Sequence, residues 1–189
     1  EITLEAGRSY DIRIEYFENL GGALAQFGWT RSPTNVLAEA IAAAKSADAV
    51  LVFAGLSPVY EGEGFDRRDL KLPQDQNDLI DTITKAVPNA VVVLNGGTPV
   101  EMDPWLTNAA ALVETWYSGQ MGGDAIANVL FGKVNPSGKA AFTFPKKLED
   151  NPSFGNYPGA DGVVHYKEGV FVGYRYYDTK NVEPLFPFG

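Results

Sequence analysis

The chain has 189 residues, and its content of 45% hydrophobic and 12% aromatic residues is typical of a globular protein with room for a real core. The formal net charge of -9 argues against a nucleic-acid partner, since phosphate binding needs clustered lysines and arginines, but it is compatible with a neutral substrate such as a sugar. The absence of cysteine excludes disulfides and thiol catalysis, and the single histidine, His165, argues against serine–histidine catalysis and histidine-based metal sites.

The first 29 residues are predicted to form a β-hairpin. Over residues 1–17 polar and apolar positions alternate, and Tyr10, Ile12, Ile14 and Tyr16 share one face, as in a half-buried strand. The turn "ENLGG" and a second alternating stretch, "ALAQFGWT", complete the pattern. A lone hairpin is at best marginally stable, so we expect it to belong to an all-β domain whose other strands are not in this chain. Its apolar side chains should then be exposed.

After Pro33 the pattern changes to alternating helices and apolar strands. Helices are predicted at 35–48, 73–87 and 122–134, and strands near 49–56, 89–95, 111–117 and 139–144. Strands that alternate with helices predict an α/β sandwich with a mostly parallel central sheet. No apolar run reaches the ~18 residues of a membrane-spanning helix, so no membrane partner is expected.

The C-terminal part is predicted to be less regular. Residues 146–170 are rich in proline, glycine, asparagine and aspartate, which indicates a long excursion over the surface. The tail "GVFVGYRYYDTKNVEPLFPFG" is aromatic and ends in a proline-rich turn. We expect this tail to expose apolar area when the chain is considered alone.

The loop after the first strand is the candidate site. Ligands bind at the carboxyl ends of parallel strands, and the loop there, "SPVYEGEGFDRRD", carries Glu61, Glu63, Asp66 and Arg67 among its charged residues. A carboxyl can act as a general acid if its pKa is raised towards neutrality, which neighbouring carboxylates favour and arginines oppose. The glycines on either side of Glu63 would let that side chain reach into a cleft. From these residues alone, a solvated acidic loop with local ion pairs is the favoured alternative.

Other candidates are weaker. Glu101 and Glu114 are rival carboxylates, and because Glu114 lies in an apolar strand it should be at a sheet edge, paired or facing a site. The stretch "SGQMGGDAI" is similar to an anion-binding helix start but lacks the lysine of a phosphate loop, so a tight strand-to-helix turn is predicted. Trp105 and Trp116 are interpreted as packing residues rather than as sugar-stacking platforms.

Four segments carry a family resemblance. In chain order they read "EGFDRRDLKLPQDQNDLI", "NAVVVLNGGTPVEM", "ALVETWYSGQMGGDAIANVLFGKVNPSGKAAFTFP" and "FVGYRYYDTKNVEPLFPFG". They resemble the second, C-terminal domain of glycoside hydrolase family three, close to its bacterial β-glucosidases, over residues 35–189. Residues 1–31 resemble the end of a protective-antigen-like β-sandwich insert, and "PLFPFG" resembles the boundary before a fibronectin type III-like domain.

The resemblance implies a retaining exo-acting β-glycosidase. In the family, the nucleophile is an aspartate of a preceding (β/α)8 barrel, in a Ser-Asp-Trp type motif that this chain lacks. The acid/base is a glutamate in a Glu-Gly-(Phe/Tyr)-Asp-Arg pattern, which falls here on Glu63 to Arg67. Glu63 is therefore the expected acid/base, Phe65 a substrate contact, and Asp66 and Arg67 organisers of the loop. No cofactor or metal is implied.

The resemblance also implies that the chain is not a complete enzyme. We expect its partners to be the missing barrel and β-sandwich segments of the same protein, and its substrate to be an oligosaccharide or an aryl glycoside. The alternative is a non-catalytic carbohydrate-binding or scaffold module that kept the fold, since fold does not imply function. A barrel with a Ser-Asp-Trp motif upstream of Glu1 in the parent gene would discriminate between them.

Overall fold

The computed structural model describes residues 4–5, 7–16 and 36–189. The chain divides into two compact units, residues 1–34 and residues 35–189. In the first unit, the described residues form no strand, and Ile12 and Ile14 are exposed. The predicted second hairpin strand and the boundary at Pro33 lie outside the described residues.

The second unit alternates helices and strands in the predicted order. Its helices are α1 (Val36–Ser46), α2 (Gln74–Ala86), α3 (Gly122–Leu130) and α4 (Tyr174–Lys180), and its strands are β1 (Leu51–Gly55), β2 (Val91–Asn95) and β3 (Ala111–Glu114). Short 3-10 turns occur at Leu106–Asn108 and Leu148–Asp150. Within residues 4–5, 7–16 and 36–189, no helix has the length and apolar character needed to cross a bilayer.

The three strands form one parallel sheet in the order β1-β2-β3. Leu51 pairs with Val91, and Val91 pairs in turn with Ala111, so all three strands end at the same edge. The central strand β2 is the most buried, and Val92, Val93 and Leu94 are almost inaccessible to solvent. Continuous apolar strands are expected where both faces of a parallel sheet are covered. The predicted α/β class is therefore confirmed.

Helix α2 is held to the sheet by apolar packing and by two polar side chains. Ile80 and Ile83 are buried in the core. The Gln76 side chain accepts a hydrogen bond from the Gly55 amide (2.9 Å) and donates one to the Gly55 carbonyl (3.0 Å), so it closes the end of β1. Trp105 is fully buried and its Nε1–H donates to Asn77 Oδ1 at 3.0 Å. These contacts fix the start of α2 beside the edge where the strands end.

The strand predicted at 139–144 is wrong. Only Phe144 forms a bridge there, and it is antiparallel, to Phe186. Phe144 is buried and donates its N–H to the Phe186 carbonyl at 2.9 Å, while its own carbonyl accepts from Leu185 N–H at 2.8 Å. Pro145 has no N–H and cannot extend a ladder. The apolar pattern therefore reflects one buried aromatic residue and a tie to the tail rather than membership of the parallel sheet.

The rest of the C-terminal part is a surface excursion, as predicted. Apart from a 3-10 turn, residues 146–170 contain only turns and isolated bridges. Helix α4 was not predicted. It buries Tyr177 and ends at Asn181, whose φ of 53° is left-handed. The tail exposes large apolar side chains, as expected, and these are Val170, Phe171, Val172, Tyr174 and Phe188.

Candidate active-site loop

The loop that follows β1 lies across the carboxyl ends of β2 and β3. It leaves the sheet at Leu56, whose N–H donates to the Asn95 carbonyl at 3.1 Å. It returns through Leu70, whose carbonyl accepts from the Glu101 amide at 2.7 Å. One end of the loop is therefore tied to the last residue of β2, and the other end is tied to the segment that follows β2. This is the edge at which parallel sheets place ligands.

Glu61 is the anchored carboxylate of this loop. Residue Glu61 is only 8% exposed to solvent. Both oxygens of its carboxylate accept hydrogen bonds. Oε1 accepts from the Gly97 amide at 2.9 Å and from the Tyr117 hydroxyl at 2.6 Å, and Oε2 accepts from the Thr98 hydroxyl at 3.0 Å. The donors come from the loops after β2 and β3, so one carboxylate connects the ends of two strands to the loop after a third.

A glycine at position 97 is required by this arrangement. A Cβ built there would overlap the ring of Tyr117. Without one, the ring can lie against the backbone while its hydroxyl reaches Glu61. Gly97 therefore contributes both a backbone donor and the space for a second donor.

Arg67 anchors the other side of the loop. Its Nη1 donates to the Thr98 hydroxyl at 2.6 Å and to the Pro99 carbonyl at 3.2 Å, and its Nη2 donates to the Lys71 carbonyl at 3.1 Å. The Thr98 hydroxyl thus accepts from Arg67 and donates to Glu61. These bonds go to neutral oxygens rather than to a carboxylate, and the organising role of Arg67 stays a prediction.

Glu63 lies at the exposed tip between these anchors. Residues 62 and 65 form an isolated antiparallel bridge, so the tip is a tight turn with Glu63 and Gly64 at its apex. Glu63 is exposed, and Phe65 is 47% exposed. A Cβ at Gly64 would meet no atom within 4 Å, so the space around the apex is open. The structure therefore gives the two glutamates different environments: Glu61 is buried and hydrogen-bonded, and Glu63 is exposed at the apex of the turn.

Asp66 contacts the C-terminal excursion. Its Oδ2 accepts a hydrogen bond from the Tyr157 hydroxyl at 2.5 Å, across 91 residues of sequence. That bond to a carboxylate raises the pKa of Tyr157 above its ordinary value. Asp66 thus connects the loop to a second segment, and its organising role stays a prediction.

The hydrogen bonds to Glu61 favour the charged form of its carboxyl group. Burial raises the pKa of Glu61, but the hydrogen bonds from Tyr117, Gly97 and Thr98 outweigh it, and the pKa lies below its ordinary value. Donors that bind the charged form stabilise that form. Glu61 is therefore held as a carboxylate by its hydrogen bonds.

The two rival carboxylates have other surroundings. Glu114 ends β3, the edge strand of the described sheet, and its Oε1 accepts from the Trp116 amide at 3.1 Å. Burial raises the pKa of Glu114 to about 7, which the amides of Trp116 and Thr115 oppose. Glu101 Oε1 accepts from the Leu148 amide at 3.3 Å, so it holds the 3-10 turn that follows.

The structure brings together residues that the sequence analysis considered separately. Glu61 and Arg67 meet at Thr98, and Tyr117 joins them from 56 residues away in the chain. Thr98 and Tyr117 were not singled out as functional residues. The signal that could have identified them is their position just after strands, in the "GGT" and "TWYSG" stretches, where the loops of a parallel sheet converge.

The packing interpretations are also testable in the structure. Trp105 is a core residue, and the ring of Trp116 packs against Phe142 and Phe144 at centroid distances of 5.4 and 5.9 Å. Helix α3 begins at Gly122 soon after β3, so "SGQMGG" is the predicted strand-to-helix turn. Among residues 4–5, 7–16 and 36–189 no group of three or more histidine, cysteine, aspartate or glutamate side chains is arranged to hold a metal ion.

The chain belongs to a known family. The model of the glycosyl hydrolase family 3 C-terminal domain matches residues 4–174, nearly the whole chain. This match begins within the segment assigned above to a protective-antigen-like insert, and that assignment stays a prediction.

Characterised relatives and solved structures agree with the family. The chain is 57% identical over 151 residues to thermostable beta-glucosidase B of Acetivibrio thermocellus, covering 80% of the chain and 20% of the relative. It is 49% identical over 151 residues to an exo-alpha-(1->6)-L-arabinopyranosidase of Bifidobacterium breve, with the same coverage of 80% and 20%. The crystal structure of a family 3 beta-glucosidase from Bifidobacterium adolescentis superposes with a TM-score of 0.79 at 47% identity, covering 85% of the chain and 24% of that protein. The chain thus spans about a fifth to a quarter of the length of these relatives.

Proposed function

We propose that this chain is the acid/base-bearing part of a retaining exo-acting β-glycosidase, a β-glucosidase that hydrolyses terminal non-reducing β-glycosyl residues of oligosaccharides. The observation that carries the proposal is the exposed Glu63 at the tip of a loop that is anchored on both sides at the ligand-binding edge of the sheet. Family membership and the β-glucosidase relatives support it. The remaining domains, including a barrel with the nucleophile, are the proposed partners.

In the proposed reaction Glu63 acts twice. As a carboxylic acid it gives its proton to the glycosidic oxygen while the C–O bond breaks and an aspartate of the barrel attacks the anomeric carbon. As a carboxylate it then takes a proton from the water that displaces the aspartate. Retaining enzymes place the two carboxyls about 5 Å apart on opposite sides of the bond, so the acid must project from its own domain. A free side chain at a loop apex meets that requirement, and one with both oxygens bonded within its own domain does not.

The neighbouring aromatic residue supports the same geometry. Phe65 is half-exposed two residues from Glu63 and contacts the backbone of the turn through its pairing with Gly62. An exposed ring beside an acid offers an apolar face to a sugar ring. We therefore assign Phe65 to substrate binding.

The test is Glu63→Ala in the complete enzyme. For substrates with poor leaving groups, kcat/KM should fall by roughly 10²–10⁴-fold, because general acid catalysis contributes about that much. Activated aryl glycosides should be affected much less, and added azide should restore their turnover, since a small anion attacks the glycosyl-enzyme without a general base. Glu149→Ala, the loss of another exposed glutamate, is the matched control and should change neither property.

Two results would contradict the proposal. If Glu61→Ala gives the leaving-group dependence and the azide rescue while Glu63→Ala gives neither, the acid/base is Glu61. If the complete protein binds sugars but cleaves no glycoside, it is a non-catalytic module.

The glycone needs its own measurement, because one relative is an arabinopyranosidase. Aryl β-D-glucoside and aryl α-L-arabinopyranoside should be compared by kcat/KM in the complete enzyme. Higher kcat/KM with the glucoside is expected. Preference for the arabinopyranoside would change the substrate and leave the role of Glu63 intact.

A further inference from the structure

The two glutamates of the loop are connected by a short piece of backbone. Glu61 and Glu63 are two residues apart, so their Cα atoms can be separated by about 7 Å at most. The chain length therefore keeps Glu63 close to Glu61, and the bridge between Gly62 and Phe65 restricts the turn that connects them. The position of the exposed carboxyl depends on how firmly the buried one is held.

Glu61 is held from two directions. The Gly97 amide and the Thr98 hydroxyl approach from the end of β2, and the Tyr117 hydroxyl approaches from the end of β3. Tyr117 is itself 69% exposed, so its ring is not fixed by burial, and its bond to Glu61 is a specific contact across the top of the sheet.

The Thr98 hydroxyl connects the two sides of the loop below its tip. Arg67 donates to Thr98, and Thr98 donates to Glu61, so residues 62–66 are bracketed by side chains that meet at a single atom. A loop closed in this way restricts the positions that its apex can adopt.

We propose that Glu61, together with Tyr117, is a positioning residue that sets the location of Glu63 relative to the glycosidic oxygen. The inference rests on the proposed function of Glu63. It assigns to the first glutamate of the "EGEG" stretch a role that is distinct from proton transfer. Misplacement of a reacting group by about 1 Å can cost on the order of 100-fold in rate, so such a role is large enough to measure.

The experiment compares Glu61→Ala and Tyr117→Phe in the complete enzyme, over a series of aryl glycosides with graded leaving groups. For Glu61→Ala, kcat for poor leaving groups should fall by about 10–100-fold, and the loss should shrink as the leaving group improves. Glu61→Gln should recover part of the activity, because its amide oxygen can still accept. Tyr117→Phe removes one donor and should give a smaller loss with the same trend, whereas Tyr166→Phe, at an exposed tyrosine, should have no effect.

The pH profile separates positioning from proton transfer. The alkaline limb of kcat/KM reports the acid, so it should persist in Glu61→Gln and disappear in Glu63→Ala. An equal loss for all leaving groups would mean that Glu61 only stabilises the fold, and an unchanged kcat in both Glu61→Ala and Tyr117→Phe would exclude any role. Either result overturns the positioning role.

The same series distinguishes this inference from the proposed function. If Glu63→Ala lacks leaving-group dependence, the acid/base assignment has failed. If Glu63→Ala shows it and the Glu61 and Tyr117 variants do not, only the positioning role has failed. Tyr117→Phe keeps the test usable should Glu61→Ala fail to fold.

Discussion

The base and the tip of the loop after β1 differ in their burial and in their hydrogen bonding. At the base, Glu61 and Arg67 are withdrawn from solvent and make several hydrogen bonds each. At the tip, Glu63, Gly64 and Phe65 are exposed. A buried polar group must be hydrogen-bonded, so the hydrogen-bond partners of Glu61 and Arg67 fix the base of the loop. The exposed tip has no such requirement. The comparison shows that two identical side chains two residues apart can have different environments, because, of the two, only Glu61 has hydrogen-bond partners among the described residues.

The largest expected contrast is between two glycines. Gly97→Ala places a methyl group against the Tyr117 ring, whereas Gly64→Ala points into open space. Because the exposed ring can turn away from the methyl group, the cost is the loss of its hydrogen bond to the Glu61 carboxylate, about 1.5–3 kcal/mol. In the complete enzyme, amide hydrogen exchange of a peptide spanning residues 95–99 should accelerate by about 10–100-fold in Gly97→Ala, since 1.4 kcal/mol is tenfold. Unchanged exchange in Gly97→Ala, or equal acceleration in Gly64→Ala, would contradict the division into base and tip.

A second contrast lies in the adjacent arginines. Arg67→Ala removes the hydrogen bonds to the Thr98 hydroxyl and to the carbonyls of Pro99 and Lys71, and each such bond contributes about 0.5–1.5 kcal/mol. Arg68 is exposed, so Arg68→Ala should stay within about 0.5 kcal/mol. Limited proteolysis within residues 57–70 measures the difference, and only Arg67→Ala should be cut faster. Equal cleavage of both variants would mean that the base is not held by Arg67.

Glu114, at the end of β3, should make the stability of the folded chain depend on pH. Burial raises the pKa of Glu114 from 4.5 to about 7, so the folded state holds a proton that the unfolded chain releases. The stability that this protonated group contributes is present below pH 4.5 and is lost as the pH rises towards 7. Glu114→Gln mimics the protonated form, so its urea midpoint should exceed that of the parent chain at pH 8 but not at pH 4. Glu149→Gln controls for removal of a charge, and an equal difference at both pH values would contradict the raised pKa.

For Glu61, the buried glutamate of the loop, the pH dependence of stability should have the opposite sign. The hydrogen bonds that lower the pKa of Glu61 stabilise the folded chain above the ordinary pKa, and this contribution is lost as the pH falls through the folded value. The urea midpoint of Glu61→Gln should therefore differ most from the parent above pH 5, and the two should converge in acid. A difference that grows towards low pH would show that Glu61 is not held as a carboxylate.

The smallest expected effect on stability is at the tip. Phe65→Ala removes a half-exposed ring with no core contact and should change the urea midpoint by an amount equivalent to about 0.5 kcal/mol or less. In the complete enzyme it should raise KM, because the ring is assigned to the substrate. A large loss of stability with an unchanged KM would place Phe65 in the base rather than the tip.

Local pattern was sufficient for most of the second unit. Apolar runs identified β1, β2 and β3, and helical spacing identified α1, α2 and α3. Each of these elements buries a face that its own sequence defines. The pattern was insufficient at 139–144, where a buried Phe144 was mistaken for a strand, and at α4, whose aromatic residues gave no clear helical stripe.

For the site, the sequence alone predicted the loop, its strand-end location and the motif that includes Glu63, and the acid/base role of Glu63 stays a proposal. These follow from local order along the chain, because a loop after a parallel strand must emerge at the ligand-binding edge. Only the tertiary structure decided which glutamate is free. The donors that occupy Glu61 come from 36 to 56 residues away, and no local pattern specifies which long-range hydrogen bonds a side chain will make.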